Sequence, residues 1–268
     1  MEKLHFPLSE DGRSYVDVNL LEPFPWIQKR GLVLVVPGGA YMKYTPREGE
    51  PVALRFAALG YHTAVLRYRF FPDRHPVPVT DLANAVALIR KNAEDWGIDK
   101  KDITICGFSA GGHLCATLGV HWDKPFLHEL TGVPGGLVRP DRMILCYPVI
   151  TTGEYAHKPS IDYLCGDDTK ALEFLSLENH VTRMSPPTFL WHTADDPHVP
   201  PQNSLLFAEA LSRSQVPYAL HIYPHGAHGL ALADELTCNG NPDFINPVCQ
   251  SWFQLATEWL KTGEKNIL

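Results

Sequence analysis

Gly107-Phe108-Ser109-Ala110-Gly111 places a serine between two glycines, directly after the run Asp102–Cys106 and directly before the small-residue run Ala110–Val120. A serine at a sharp strand-to-helix turn has its hydroxyl lifted above the end of a sheet, and the positions flanking it must be small. Such a hydroxyl can attack an acyl carbon, but only if a base takes its proton. The chain offers thirteen histidines for that role. His228 stands in His225-Gly226-Ala227-His228-Gly229, where glycines leave an imidazole free to swing over a sheet edge. His221 alternates within a strand pattern. His225 follows Pro224 and reads as a loop-packing residue, and His113, after two glycines, reads as buried and hydrogen-bonded. His228 is therefore the candidate base. A third group must hold its ring in one tautomer and stabilise its charged form. Asp195 and Asp196, in His192-Thr193-Ala194-Asp195-Asp196-Pro197, both qualify, and the residues alone barely separate them.

The oxyanion of an attacked ester needs backbone N–H donors. Ala110 supplies one, at a helix N-terminus where the dipole also favours negative charge. Pro37-Gly38-Gly39-Ala40-Tyr41 is the candidate for the others, because a carbonyl oxygen can approach glycine backbone without meeting a side chain.

These residues need a scaffold, and the hydrophobic pattern supplies one. Strands are expected at Val16–Leu21, Gly31–Val36, Tyr61–Tyr68, Asp102–Cys106, Arg142–Tyr147, Thr188–His192 and Tyr218–Tyr223. Several are continuous apolar runs, as strands covered on both faces should be. Helices are expected at Gly49–Leu59, Asp81–Trp96, Ala110–Val120, Pro201–Arg213 and Asn246–Lys261, the last burying Val248, Trp252, Leu255 and Trp259. Val149–Ser185 reads as a long irregular stretch. Alternation of strand and helix predicts an α/β fold, one mostly parallel sheet with helices on both faces. No repeat, linker or charge run divides residues 1–268, so a single domain is expected.

Composition narrows the function. Formal net charge is −7 and the cations are scattered, which argues against a nucleic-acid partner. No apolar run is long enough to span a bilayer, and Met1 to Pro7 lacks the core of a signal peptide, so no membrane partner and a cytoplasmic location are expected. The six cysteines form no C-x-x-C pair and read as reduced thiols, Cys106 and Cys146 within buried strands. Neither a cofactor nor a metal is expected.

With these motifs in hand, the chain resembles the esterase branch of the α/β-hydrolase superfamily. That branch includes bacterial acetyl esterases, acetylxylan and feruloyl esterases, and hormone-sensitive-lipase-like enzymes. The likeness is carried by Pro37-Gly38-Gly39-Ala40-Tyr41 (many relatives have His-Gly-Gly-Gly there), Arg47-Glu48-Gly49-Glu50-Pro51-Val52-Ala53, and Gly107 to Leu114. It continues through Pro186 to His192, Asp196 with Val199-Pro200, and Gly226-Ala227-His228-Gly229. The order Ser109, Asp196, His228 is the superfamily's order. The resemblance implies Asp196 as the acid, through D-x-x-V-P, and oxyanion donors at Gly39 and Ala40 besides Ala110. It leaves a homodimer open, and nothing in the sequence marks an interface.

The implied activity is a serine carboxylic-ester hydrolase working through an acyl-enzyme. About 30 residues precede the first central strand, too few for a large helical cap, so an open site with little or no cap is expected. Such a site suits a small acyl group on a bulky alcohol, an acetylated sugar or oligosaccharide above all. Tyr41, as a substrate-binding residue, and Trp122 are expected to offer aromatic faces to it, whereas Trp191, which lies within a strand, reads as core. The alternatives are a general short-chain carboxylesterase, a thioesterase or lipid esterase, a prolyl-oligopeptidase-like peptidase, and a non-enzymatic ligand-binding relative.

Overall fold

The computed structural model describes residues 1–262. Its strands are β1 (Glu2–Pro7), β2 (Tyr15–Leu20), β3 (Arg30–Val36), β4 (His62–Arg67), β5 (Ile98–Phe108), β6 (Arg142–Cys146), β7 (Thr188–Thr193) and β8 (Tyr218–Tyr223). All eight join one sheet in the order β1-β2-β4-β3-β5-β6-β7-β8. β2 pairs antiparallel with both β1 and β4, and every other pairing is parallel. The helices are α1 (Glu50–Ala57), α2 (Val77–Lys91), α3 (Ala110–His121), α4 (Pro125–Thr131), α5 (Gly135–Val138), α6 (Lys158–Leu164), α7 (Thr169–Phe174), α8 (Gln202–Arg213) and α9 (Ser251–Lys261).

The central strands are largely apolar because both of their faces are buried, and β5 starts four residues before the expected Asp102, on the partly exposed Ile98–Lys101. Leu32, Leu34 and Val36 of β3 belong to one core with Leu82 and Val86 of α2, Leu114 and Leu118 of α3 and Phe207 of α8. Val33 and Val35 point to the other side, into a second core built from Val52 and Phe56 of α1 and Trp252, Phe253 and Trp259 of α9. The period-two alternation of side chains thus feeds two cores from one strand. Because β3 lies between β4 and β5, the chain turns to opposite sides of it after successive strands. A crevice opens at such a reversal, outside the carboxyl ends of the strands. The ends concerned are Val36 and Phe108, next to the loop Pro37–Ala40 and to Ser109.

Several sequence expectations shift. The stretch Val149–Ser185 is not irregular: it contains α6 and α7, too short to show periodicity. β1 was not expected; its burial alternates between exposed and intermediate, as an edge strand's does. α2 starts at Val77, with a proline in its first turn, and stops at Lys91, while Ala93 to Trp96 form turns before the left-handed Gly97. α9 starts five residues late because residues 247–250 form a turn, and Val248 is 61% exposed rather than buried.

The α6–α7 segment is fastened to α3 by histidines. His113 Nε2 lies 3.0 Å from the Leu175 carbonyl, and His121 Nε2 lies 3.1 Å from that of Phe174, with the His121 ring stacked on Phe174 at 3.9 Å. Burial depresses His113 to about 4, against the lifting effect of the Leu175 carbonyl. Burial likewise depresses His121 to about 3, the Phe174 carbonyl partly opposing it. Unfolded, both rings return to about 6.5, so below that pH the unfolded chain binds more protons than the folded one. Stability present above about 6.5 is therefore lost as pH falls toward about 4. Each ring contributes up to ~1.4 kcal/mol per pH unit inside that window. Thermal unfolding between pH 7 and 4 should show this slope, and His121→Phe, which keeps the stack and removes the proton site, should flatten it. An unchanged slope in that variant would contradict the account.

Candidate active site

Ser109 occupies the tightest point of the fold. Its φ is 52° and ψ −117°, a conformation that costs a non-glycine residue energy and survives only where the surroundings enforce it. They do so from all sides. The Ser109 N–H donates to the Cys146 carbonyl at 3.0 Å, while its own carbonyl accepts from the N–H of His113 and of Val149. A Cβ on Gly107 would meet the Gly111 carbonyl, and one on Gly111 would meet the Val36 carbonyl, so this turn admits no larger side chain. Every residue of α3 is buried.

His228 reaches the serine from the loop after β8. Its Nε2 lies 2.9 Å from Ser109 Oγ, and its Nδ1 lies 2.7 Å from Asp196 Oδ2. The Asp196 side chain is fully buried and that of His228 is 16% exposed. Asp196 Oδ1 accepts the backbone N–H groups of His198 and Val199, both at 2.9 Å. His192 Nε2 stands 3.4 Å from Oδ2. Burial alone would raise this carboxyl, but hydrogen bonds from His192 and His228 and the His228 charge outweigh it and hold the group well below the usual carboxylate range. It is ionised throughout the neutral range.

The structure gives the two aspartates different surroundings. Asp195 points to the surface, where its Oδ2 lies 2.8 Å from His225 Nδ1 and its Oδ1 accepts from Gly226 N–H. His225 is correspondingly 83% exposed, not packed in its loop. The adjacent carboxylates thus serve two histidines three residues apart, one pair in solvent and one against the serine.

The loop after β3 lies over the same point. Gly39 and Ala40 both have positive φ, 131° and 57°. Met42 and Lys43 donate back to the Gly39 carbonyl. Among the described residues no acceptor meets the N–H of Gly39 or Ala40. Ala110 is the first residue of α3, where an N–H has no intrahelical acceptor. Gly38 is pressed against the Ser109 turn: a Cβ there would stand 2.6 Å from the Phe108 carbonyl oxygen and 3.1 Å from Ser109 Cβ. Together these groups form a serine–histidine–carboxylate relay with free N–H donors on two converging loops. That arrangement can perform acyl transfer.

A cleft of about 940 Å³ leads from Ser109 and His228 past Gly39 and Ala40 toward β2 and β4. The aromatic residues expected to line it do not. Tyr41 is 1% exposed, because three successive left-handed or open residues fold it under the loop, where its hydroxyl meets His113 Nδ1 at 2.9 Å. Trp122 is spent on packing and on the Met184 carbonyl. Trp191 is core as expected, stacked on Trp252 at 5.4 Å. Tyr44 lines the cleft instead, with the Arg67 guanidinium 3.4 Å over its ring. Lys43, Asp17, His157 and His198 complete much of the wall. The alternation of buried Val16 and Val18 with Asp17 was a legible signal for one of these, and the rest depend on loop paths.

The BD-FAE family matches residues 23–132. Over 215 residues the chain is 42% identical to an endo-1,4-beta-xylanase B of Butyrivibrio fibrisolvens, covering 77% of this chain and 33% of that protein. It is 31% identical to an acetylxylan esterase of Xylanibacter ruminicola, covering 85% of this chain and 46% of the relative. The chain therefore spans only a third to a half of these two curated relatives. The crystal structure of an acetyl ester-xyloside bifunctional hydrolase from Caldicellulosiruptor lactoaceticus superposes with a TM-score of 0.81 at 37% identity, covering 96% of this chain and 92% of that one. With an eight-stranded, mostly parallel sheet and likeness along nearly the whole of a solved relative, the chain belongs to the esterase branch of the α/β-hydrolase superfamily.

Proposed function

We propose that this chain is a serine esterase that removes small acyl groups, acetyl above all, from hydroxyl-rich alcohols such as xylo-oligosaccharides. The observation that carries the reading is the unbroken relay from Ser109 Oγ to His228 to the buried Asp196. In the first step Ser109 Oγ attacks the ester carbonyl carbon and its proton passes to His228 Nε2. The carbonyl oxygen, now an anion, accepts from the N–H groups of Gly39, Ala40 and Ala110. As the carbon–oxygen bond to the alcohol breaks, His228 returns the proton to the leaving oxygen. Water then attacks the acyl-serine, again losing its proton to His228, and the free acid departs as Ser109 is restored.

The choice of substrate rests on the cleft and on the relatives. Its wall carries Lys43, Arg67 and Asp17 beside Tyr44, groups that exchange hydrogen bonds with hydroxyls, interspersed with the apolar Val65 and Leu236. Two relatives named above carry acetyl ester or acetylxylan activity in their names. Among the described residues no helix is long and apolar enough to cross a membrane, and the six cysteines are unpaired, which fits a reducing compartment such as the cytoplasm.

Initial rates on 4-nitrophenyl acetate, butyrate and octanoate, with acetylated xylo-oligosaccharide alongside, test the reading. Acetate is expected to exceed octanoate at least ~10-fold in kcat/KM, with acetate released from the sugar. Octanoate preference without sugar deacetylation would make the enzyme a lipid esterase with the same relay.

A further inference from the structure

Arg47 and Glu48 lie in the 3-10 turn Pro46–Glu48 that follows the Gly38–Ala40 loop, and neither takes part in the proton relay. Both are nonetheless committed to it. Glu48 is 2% exposed. Its Oε2 accepts the Gly38 N–H at 2.9 Å, and its Oε1 accepts the Tyr147 hydroxyl at 2.9 Å. The Tyr147 oxygen in turn accepts the Ala231 N–H at 2.9 Å, three residues beyond His228. The Tyr147 ring stands edge-on to the His228 ring, with centroids 5.1 Å apart. Arg47 donates to the carbonyl of Gly229, the residue after His228.

One carboxylate and one guanidinium thus connect the loop bearing the N–H donors to the loop bearing the base. Burial pushes the Glu48 carboxyl above its usual range, while the Arg47 charge and the N–H and O–H that converge on its two oxygens favour the ionised form. Burying such a charge is costly, and packing alone would favour an apolar side chain here. An amide cannot substitute, since it has one acceptor oxygen for two converging donors. The charge of Glu48 also acts on His228, which becomes cationic in the transition state.

We infer that Glu48, working through Tyr147 and Arg47, is a positioning group that locks the oxyanion loop and the His228 loop into the register the reaction needs. This rests on the reading of Ser109 as nucleophile. The test compares Glu48→Gln, Tyr147→Phe and the double variant with the parent enzyme, all titrated with a fluorophosphonate so that rates refer to intact sites. Glu48→Gln is expected to lower kcat per titrated site about 10- to 100-fold, with KM within about twofold. Inhibition by a trifluoromethyl ketone, whose serine adduct carries the oxyanion, should weaken by the same factor. Tyr147→Phe should act in the same sense, and the double variant should be no worse than Glu48→Gln, because the two groups act through one link. A titrated kcat within about twofold of the parent, or a loss confined to KM, would overturn the inference, since a merely structural residue lowers the number of sites and not their rate. Should Glu48→Gln fail to fold, Tyr147→Phe, which deletes one oxygen, decides by the same criteria. Ser109→Ala separates the two levels. Activity persisting in it removes the underlying reading, whereas an inactive Ser109→Ala beside a Glu48→Gln of parental kcat removes only this one.

Discussion

Ser109→Ala should lower ester turnover by about a million-fold while leaving the fold intact. The size follows from how the group works. Without Oγ there is no acyl-enzyme, and His228 has no proton to accept, so the relay fails as a unit. The N–H donors and the cleft survive and leave a residual acceleration over water. The fold should survive because the turn is held by backbone: Ser109 N–H on Cys146, and its carbonyl on His113 and Val149, none of which involves the hydroxyl. The variant should therefore unfold within a few degrees of the parent and fail to react with a fluorophosphonate. Adding His228→Ala should cost almost nothing further, because residues acting as one unit are strongly non-additive. Ser109→Ala retaining one per cent of parental kcat would place the nucleophile elsewhere.

Asp196→Asn should reduce kcat by about ten-thousand-fold, and Asp195→Asn hardly at all. The asymmetry comes from the acceptor count at position 196. Oδ1 receives two backbone N–H groups, from His198 and Val199. An asparagine placed there must keep its oxygen toward those donors, which turns its NH2 toward His228 Nδ1. That nitrogen must then accept rather than donate, so the proton moves to Nε2, the atom that has to take the proton of Ser109. The base is blocked although every heavy atom stays in place. Asp195, by contrast, meets only the exposed His225 and Gly226 N–H at the surface, where a charge pair contributes little. Steady-state rates of the two variants, with unfolding curves as control, check this. Equal losses would undo the assignment of Asp196.

The sequence determined by itself whatever is written in local pattern. Apolar runs bounded by Gly and Pro located β3, β6, β7 and the second half of β5, because a strand covered on both faces has little polar side to show, while the charged start of β5 at Ile98–Lys101 was missed. Gly107 to Gly111 marked the sharp turn that carries Ser109, since only small residues fit where a Cβ would meet Gly111 or Val36 backbone. Gly226 and Gly229 around His228 marked a loop free enough to carry a base. Only the tertiary structure decided matters of direction and partnership. Asp195 and Asp196 are neighbours of one type that residue chemistry did not separate and only the D-x-x-V-P resemblance did; that Asp196 meets His228 depends on a loop path held by the His198 and Val199 amides. Tyr41 looked like a binding surface because aromatic rings near glycine loops often are one, yet consecutive positive φ angles turned it inward to His113. α6 and α7 were hidden because helices of six or seven residues draw their stability from the core they pack on, not from their own periodicity. Glu48 shows the same division most sharply. In the sequence it is one residue of the Arg47–Ala53 stretch that carries the resemblance, with no role of its own, and it becomes the joint between two loops only when residues 38, 147 and 231 are folded against it.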